Sequence, residues 1–168
     1  MAAFLCVTAP WSIPIGPIPI SLATLAVYLI GATLGCIDGT IAVAVYLLLG
    51  AFGVPVFSGF EGGVQKLIGV TGGYLIGYLP CALITGLAVK PNAPEPPKWR
   101  LPAFMALGTA VLYLIGTAWF MLQTRNTLAA AMGMCVAPFL PGDAIKIIAA
   151  SLLAVPIRRA LYRIVPVA

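Results

Sequence analysis

The hydrophobic positions of this chain run in long blocks that leave little room for a polar helix face. Residues 67–89 and 101–124 contain no charged side chain, and the first charged side chain from the N-terminus is Asp38. An apolar run of about 20 residues is long enough to cross the hydrocarbon core of a membrane as a helix. The pattern therefore predicts membrane-spanning helices and not the core of a water-soluble domain.

Six membrane spans account for these blocks. Their ends are marked by prolines and charged residues, because proline interrupts a helix and charges are costly within a bilayer. We predict spans over Met1–Trp11, Ser21–Gly35, Thr40–Phe52, Thr71–Val89, Leu101–Gln123 and Gly142–Val155. The first is short, and we expect it to be the end of a helix whose first turns are absent. The predicted fold class is an all-α integral membrane protein with six transmembrane helices, formed by residues 1–168 as a single domain.

The connections between the spans differ in composition. The proline-rich stretch Ser12–Ile20 is predicted to be extended and to line a cavity, because its prolines exclude a helix. The remaining predictions are turns at Asp38–Gly39 and Thr124–Thr127, a polar loop over Lys90–Arg100, a partial helix over Leu128–Phe139 and a basic tail over Ile157–Arg163.

The stretch Gly50–Tyr74, GAFGVPVFSGFEGGVQKLIGVTGGY, is rich in glycine and carries charge between two apolar blocks. Pro55 predicts the end of the preceding helix. Glycine lets the backbone reach positive φ and lets other groups approach it closely. Irregular backbone at membrane depth is tolerated where protein buries it or where it lines a wet cavity. We therefore predict an external loop between helices 3 and 4 that forms a wall or lid of a small-molecule site.

Composition agrees with a membrane location, since 62% of the residues are hydrophobic and 8% are charged, against about 25% charged in soluble domains. The net charge of +5 does not indicate nucleic-acid binding, because the basic residues cluster at span ends, where they set topology. Six of them fall on one side of the predicted topology and two, Lys66 and Arg125, fall on the other. This bias predicts both termini in the cytoplasm and the glycine-rich loop outside, in a multi-pass protein of the cytoplasmic membrane.

The stretch PFLPGDAIK carries the sharpest candidate for chemistry. Asp143 and Lys146 are three residues apart, so on a helix they lie on one face. A carboxylate in the first turn suits the helix dipole. Each ionisable group near the middle of a bilayer costs roughly 2.5–3.5 kcal/mol on the insertion scale. The two side chains should therefore face the protein interior, each other or a ligand, with a purely structural pair as the alternative.

Four residues of the glycine-rich region are further candidates for ligand contact: Glu61, Gln65, Thr71 and Tyr74. Glu61 and its neighbour Lys66 have the alternative of being merely solvated in a water-facing loop. Tyr74 and Tyr78 are four apart on one helix face, where aromatic residues more often pack or anchor a helix at the interface.

Several classes of function are excluded or weakened by what the sequence lacks. There is no histidine, so neither a serine nor a cysteine hydrolase triad can form. No G-x-x-x-x-G-K-[ST] motif is present, so the chain does not hydrolyse ATP through that phosphate loop. The four cysteines are far apart without metal-ligand spacing. We expect no cofactor, no metal and no enzymatic activity.

Three motifs in order, GAFGVPVFSGFEGG, GVTGGYLIGY and PFLPGDAIK, resemble the successive signatures of the BioY family. These proteins are the biotin-binding S components of energy-coupling factor (ECF) transporters. The stretch IPIGPIPISLATLAVYLIG is similar to the family's first external loop and second helix, so the resemblance runs from about residue 13 to about residue 160.

The resemblance implies roles for individual residues. The aspartate and lysine of the PGD-x-x-K motif correspond to Asp143 and Lys146, and a polar ligand contact before the Gly-Gly pair corresponds to Glu61. The chain departs from the family at Val70, where proline is usual, and at Leu75, where some members have an arginine.

The function that the resemblance implies is capture of biotin from outside the cell and its uptake through the membrane. The implied partners are biotin, membrane lipid, a transmembrane ECF coupling subunit and two ATPase subunits, with ATP used only through those subunits. The alternatives left open are a solitary mode of transport without the coupling module, an S component for another vitamin such as thiamine or riboflavin, a membrane-embedded enzyme and a structural membrane subunit.

Overall fold

The computed structural model describes residues 1–13, 18–90 and 99–164, and within them the chain is mainly helical, as predicted. Three stretches lie outside the described residues, together with the predictions made for them: residues 14–17, most of the polar loop (91–98) and the last four residues. The helices are α1 (Ala2–Thr8), α2 (Ala23–Leu34), α3 (Cys36–Ala51), α4 (Val64–Ile68), α5 (Gly72–Gly86), α6 (Arg100–Thr124), α7 (Leu128–Cys135) and α8 (Leu140–Ile164). Strands β1 (Ser12–Ile13) and β2 (Ile20–Ser21) form an antiparallel pair at the ends of the proline-rich stretch.

Helix α5 lies at the centre of the bundle and packs against α2, α3 and α6. Small residues let α5 and α6 approach closely, as is common between helices in membranes. A Cβ added at Gly77 would lie 2.7 Å from Leu112 Cδ1, and one at Gly108 would lie 3.1 Å from the Cys81 carbonyl oxygen. The core formed in this way includes the fully buried side chains of Tyr28 and Met105.

The helices fall into two length classes. Helices α6 and α8 have 25 residues each, or about 37 Å at 1.5 Å per residue, and both are apolar enough to cross a membrane. Helices α2, α3 and α5 are apolar but have 12, 16 and 15 residues, fewer than the roughly 20 that a straight span needs. Helix α1 has seven residues. The number of six spans therefore stays a prediction.

The turn between α2 and α3 lies at Gly35 and not at Asp38–Gly39 as predicted. Gly35 has a φ of 87°, which glycine adopts without steric cost. Asp38 lies in the first turn of α3, where a carboxylate interacts favourably with the helix dipole. A Cβ added at Gly39 would lie 3.2 Å from the Cα of Gly31, so the dipeptide serves helix packing in place of a turn.

The glycine-rich stretch is less irregular than predicted. Helix α3 ends at Ala51, before Pro55, the short helix α4 occupies Val64–Ile68, and α5 already begins at Gly72. Between α3 and α4 the backbone turns at Gly53, Gly59 and Gly63, all with positive φ. Backbone hydrogen bonds from Gly63 N to Gly50 O (2.7 Å) and from Gly59 N to Pro10 O (3.0 Å) fix this loop to its surroundings.

The predicted sixth span and basic tail form one continuous helix, α8, which contains Pro156. Arg158 is buried, and its guanidinium donates hydrogen bonds to the carbonyl oxygens of Ala32 (3.4 Å) and Thr33 (3.0 Å) at the end of α2. The last carbonyls of a helix lack partners within it, so this arginine satisfies groups that would otherwise be unpaired. The prediction of a separate tail was wrong because the basic residues continue the helix and one of them points inward.

Candidate functional site

The site is built around the first turn of α8, where Asp143 and Lys146 meet as the spacing predicts. Lys146 Nζ lies 3.0 Å from Asp143 Oδ1, and their side chains are 12% and 5% exposed. Burial of two opposite charges is tolerated when they pair and when further hydrogen bonds satisfy the remaining donors and acceptors. Both side chains face the protein interior and each other.

Lys146 uses all three of its N–H donors within the protein. Besides the bond to Asp143, its ammonium donates to the carbonyl oxygen of Ser21 (2.8 Å) and to Thr24 Oγ1 (2.9 Å). An ammonium group has three donors and no acceptor, so its hydrogen-bonding capacity is filled. These bonds connect the start of α8 to the start of α2.

Asp143 accepts hydrogen bonds on both carboxylate oxygens. Oδ1 accepts from Lys146 and from the Thr24 hydroxyl (3.3 Å), and Oδ2 accepts from the Tyr113 hydroxyl at 2.6 Å. A carboxylate has about four lone-pair positions, so at least one on Oδ2 has no protein partner among these bonds. Three helices, α2, α6 and α8, therefore hold one carboxylate.

Three adjoining cavities lie between this pair and the surface. The inner cavity has about 40 Å³ and the middle one about 110 Å³, and both are lined by Ile18, Pro19, Tyr74 and Tyr78. The outer cavity, about 510 Å³, is open and shares Lys66 and Thr71 with the middle one. Neighbouring cavities share lining residues, so the three form a row from the glycine-rich segment to the buried charges, which we call the path.

The residues predicted for the site divide into two groups along this path. Asp143, Lys146 and Tyr74 line the inner cavity. Thr71 lies where the middle and outer cavities meet, and Glu61 and Gln65 line the outer cavity only. The structure thus brings half of the predicted residues together and leaves the others at the mouth.

Tyr74 also has a packing role. Its hydroxyl is within hydrogen-bond distance of Thr117 Oγ1 and of the Cys135 carbonyl oxygen, both at 3.3 Å. A Cβ added at Gly116 would lie 2.5 Å from the Tyr74 ring, so the ring rests directly on α6. One face of this residue therefore fixes α5 against α6 and α7 while another lines the cavity.

The other charged pair of the path lies at its mouth. Lys66 Nζ and Glu61 Oε2 form an ion pair, and their side chains are 42% and 48% exposed. This pair spans the beginning of α4 and the loop before it. Exposed pairs of this kind contribute about 0–1 kcal/mol to stability.

The C-terminal end of the glycine-rich segment, around residues 68–73, is attached to α6 by hydrogen bonds. Trp119 Nε1 donates to the Gly69 carbonyl oxygen at 3.0 Å, and the Gln123 amide donates to that of Ile68 at 2.8 Å. The Gly72–Gly73 pair allows this close approach, since a Cβ at Gly73 would lie 2.3 Å from Trp119 Cβ. Movement of the glycine-rich segment would therefore involve its outer part, the residues before Ile68, more than the residues that are attached to α6.

Sequence reasoning missed several residues of the inner site: Ser21, Thr24, Leu112, Tyr113 and Phe139. A buried carboxylate needs hydrogen-bond donors, which predicts that hydroxyl groups lie nearby. Nothing in the sequence indicates which of the many threonines and tyrosines are across from Asp143, because that depends on how the helices pack.

Comparison with known proteins places these features in one family. The family model described as "BioY family" matches residues 1–163. The chain is 39% identical to the biotin transporter BioY of Thermotoga maritima, covering 92% of this chain and 90% of the relative. It is 33% identical to the biotin transporter BioY2 of Lactococcus lactis subsp. cremoris, covering 95% and 87%.

A solved structure agrees with these relatives. The crystal structure of the S-component for biotin from an ECF-type ABC transporter superimposes with a TM-score of 0.82 at 28% identity, covering 94% of this chain and 86% of the other. The family that the sequence motifs indicated is therefore confirmed by a family model, by curated relatives and by a common fold.

Proposed function

This chain belongs to the BioY family, and we propose that it captures biotin and carries it into the cell as the substrate-binding S component of an ECF transporter. The curated relatives are named as biotin transporters, so the chain is a membrane transport protein and not an enzyme. The observation that carries the proposal is the buried Asp143–Lys146 pair at the end of a path from the surface.

The chemistry of the inner cavity suits the ring system of biotin. The ureido ring has two N–H donors and one carbonyl acceptor. We propose that Asp143 accepts from a ureido N–H through its unused lone pair on Oδ2 and that Lys146 donates to a ligand oxygen by exchanging one of its present partners. Leu112 and Phe139, which also line this cavity, would contact the apolar bicyclic body.

The rest of the path suits the remainder of the ligand. Tyr74 and Thr71 line the middle cavity beside the apolar Ile18, where we place the valeryl chain. Glu61 and Gln65 line the mouth, and we propose that they contact the ligand as the loop closes over it. A polar site of this kind discriminates against analogues that lack the buried hydrogen-bonding group.

The inner and middle cavities are smaller than the roughly 300–1,000 Å³ of a pocket that encloses a small molecule. We therefore propose that this structure corresponds to a contracted site and that the outer part of the glycine-rich segment moves to admit the ligand. This movement would release the backbone hydrogen bonds from Gly59 to Pro10 and from Gly63 to Gly50, and glycine can adopt the new backbone angles without steric cost.

We further propose six membrane spans with both termini in the cytoplasm and the glycine-rich segment outside, as the distribution of basic residues predicts. In this arrangement the protein sits in the lipid of the cytoplasmic membrane and associates with an ECF coupling subunit and two ATPase subunits. The chain itself holds no cofactor and binds no nucleic acid, and ATP acts only through the partners.

The test is equilibrium binding of biotin to the detergent-solubilised protein, compared with Asp143→Asn and Lys146→Ala. We expect the wild type to bind biotin and both variants to lose at least about 100-fold in affinity, since each removes a charged hydrogen-bonding group from a buried site. Thiamine and riboflavin are measured in the same assay, and binding of either in place of biotin would contradict the assignment of biotin as the ligand. Undiminished biotin binding in both variants would contradict the assignment of Asp143 and Lys146 to the binding site.

A further inference from the structure

Two basic side chains among residues 1–13, 18–90 and 99–161 line the three cavities, and they differ in what they are free to bind. Lys146 lines the inner cavity, whereas Lys66 lines both the middle and the outer cavity. The ligand proposed above has a neutral polar ring at one end and a carboxylate at the other. Which cation receives the carboxylate decides the orientation in which the ligand enters.

Lys146 is poorly suited to an acid. Its three donors are engaged by Ser21, Thr24 and Asp143. The adjacent Asp143 carboxylate would repel a second negative charge, and this repulsion is strong where water is excluded. The inner cavity therefore favours a neutral group that offers N–H donors.

Lys66 has the opposite properties. Its ion pair with Glu61 leaves both side chains over two-fifths exposed, and such a pair is held weakly. The ammonium can therefore exchange one carboxylate for another at little cost. Lys66 also lies where the middle and outer cavities adjoin, so it is the described cation that a ligand tail directed toward the mouth would meet.

The wall between the two cations is mostly apolar. Ile18 and Pro19 line both the inner and the middle cavity, and Phe57 and Leu75 join them in the middle cavity. A polar ring at one end, a hydrocarbon chain along this wall and an acid at the other end match the path in order.

We propose that Lys66 is the carboxylate-binding residue of this site, exchanging Glu61 for the acid of the ligand while the ring binds at Asp143. The proposal rests on the proposed function, because it presumes that the ligand is biotin. No bond is made or broken in the exchange, and the net change is one ion pair replaced by another.

The experiment measures the affinity of biotin and of biotin amide, in which a neutral carboxamide replaces the carboxylate, for the full-length protein in detergent. We expect the wild type to prefer biotin by about tenfold or more, the range of one charge-assisted hydrogen bond. Lys66→Gln should lose this preference while still binding biotin amide like the wild type. Lys66→Arg should restore it.

Arg125→Gln is the matched control. Arg125 is an exposed basic residue between α6 and α7 that lines none of the three cavities. Its variant removes the same charge from the protein and should keep the preference for biotin, which separates a local contact from a change in net charge.

The outcomes distinguish this proposal from the one on which it rests. Failure of the wild type to bind either compound would remove the proposed function itself. Biotin binding with an unchanged preference in Lys66→Gln would overturn the carboxylate assignment alone. An equal loss of affinity for biotin and for biotin amide in Lys66→Gln would also overturn the carboxylate assignment, because Lys66 would then affect the whole site and not the carboxylate alone.

Discussion

The Asp143–Lys146 pair and the Glu61–Lys66 pair are both formed by residues close in sequence, yet one is enclosed by three helices and the other is exposed, between α4 and the loop before it. The inner pair receives additional bonds from Thr24 and Tyr113, whereas the outer pair is largely exposed. Electrostatic interactions become stronger where water is excluded. In the proposed function, the same combination of acid and base is therefore a firmly held recognition element at one end of the path and an easily exchanged one at the other.

This difference separates two tasks that a capture protein must perform. A buried pair that three helices hold keeps its geometry before the ligand arrives, so little ordering remains to be done on binding. A weak exposed pair can instead give up its partner as the ligand enters. Under the two proposals above, a firmly held inner end would select the ring and exchange at the mouth would let the site close on the tail.

The largest effect is expected from Lys146→Met, which leaves the Asp143 carboxylate buried without its cation. Removing one member of a buried pair costs about 3–5 kcal/mol, and we expect a loss of that size in the free energy of unfolding, measured by denaturant titration in detergent. The double variant Asp143→Asn/Lys146→Met should regain part of this loss because no buried charge remains. A double variant no more stable than Lys146→Met would contradict the view that the inner pair is a buried pair whose single charges are costly.

An intermediate effect is expected from Tyr113→Phe, which removes the hydroxyl that donates to Asp143 Oδ2 at 2.6 Å. A hydrogen bond to a charged group is worth about 1.5–3 kcal/mol, so the affinity for biotin should fall by roughly 10- to 100-fold, as measured by calorimetric titration.

The control for this variant is Tyr28→Phe. The Tyr28 hydroxyl forms a hydrogen bond with Thr109 of α6, the helix that also carries Tyr113. Tyr28 lines none of the three cavities. This variant should lose stability without a comparable loss of affinity. Equal losses of affinity in both variants would show that Tyr113 has no special relation to the carboxylate.

The smallest effect is expected from Glu61→Gln at the mouth. The free energy of unfolding should change by less than about 1 kcal/mol, because exposed ion pairs contribute little. Biotin affinity should rise by no more than a few-fold, about 0.5 kcal/mol, since the amide retains a polar contact but no longer competes for Lys66. A loss of stability as large as that of Lys146→Met would mean that the two pairs do not differ as the exposures indicate.

Local sequence signals predicted the helices well and their boundaries less well. The apolar blocks gave helices near the predicted positions, and the partial helix after Thr127 was confirmed as α7. The turn at Asp38–Gly39 was wrong because the same residue types also suit a helix start and a close helix contact. Pro156 did not end α8, which continues to Ile164, and the Arg158 side chain bonds the end of α2.

The candidate site shows the same division. Asp143 and Lys146 were predictable because helical spacing alone places residues three apart on one face. Their partners Ser21, Thr24 and Tyr113 come from segments 30 to 125 residues away. No local pattern connects such distant positions, so they could not be chosen from the sequence.

The sequence by itself determined the membrane character of this protein, the family to which its motifs belong and the buried charged pair, because hydropathy, motif order and helical period are properties of neighbouring residues. Only the tertiary structure decided which hydroxyl groups hold Asp143, where Lys66 lies on the path and that Arg158 satisfies the end of α2. The physical reason is that these contacts join different helices, and their geometry is set by how closely small residues let the helices pack.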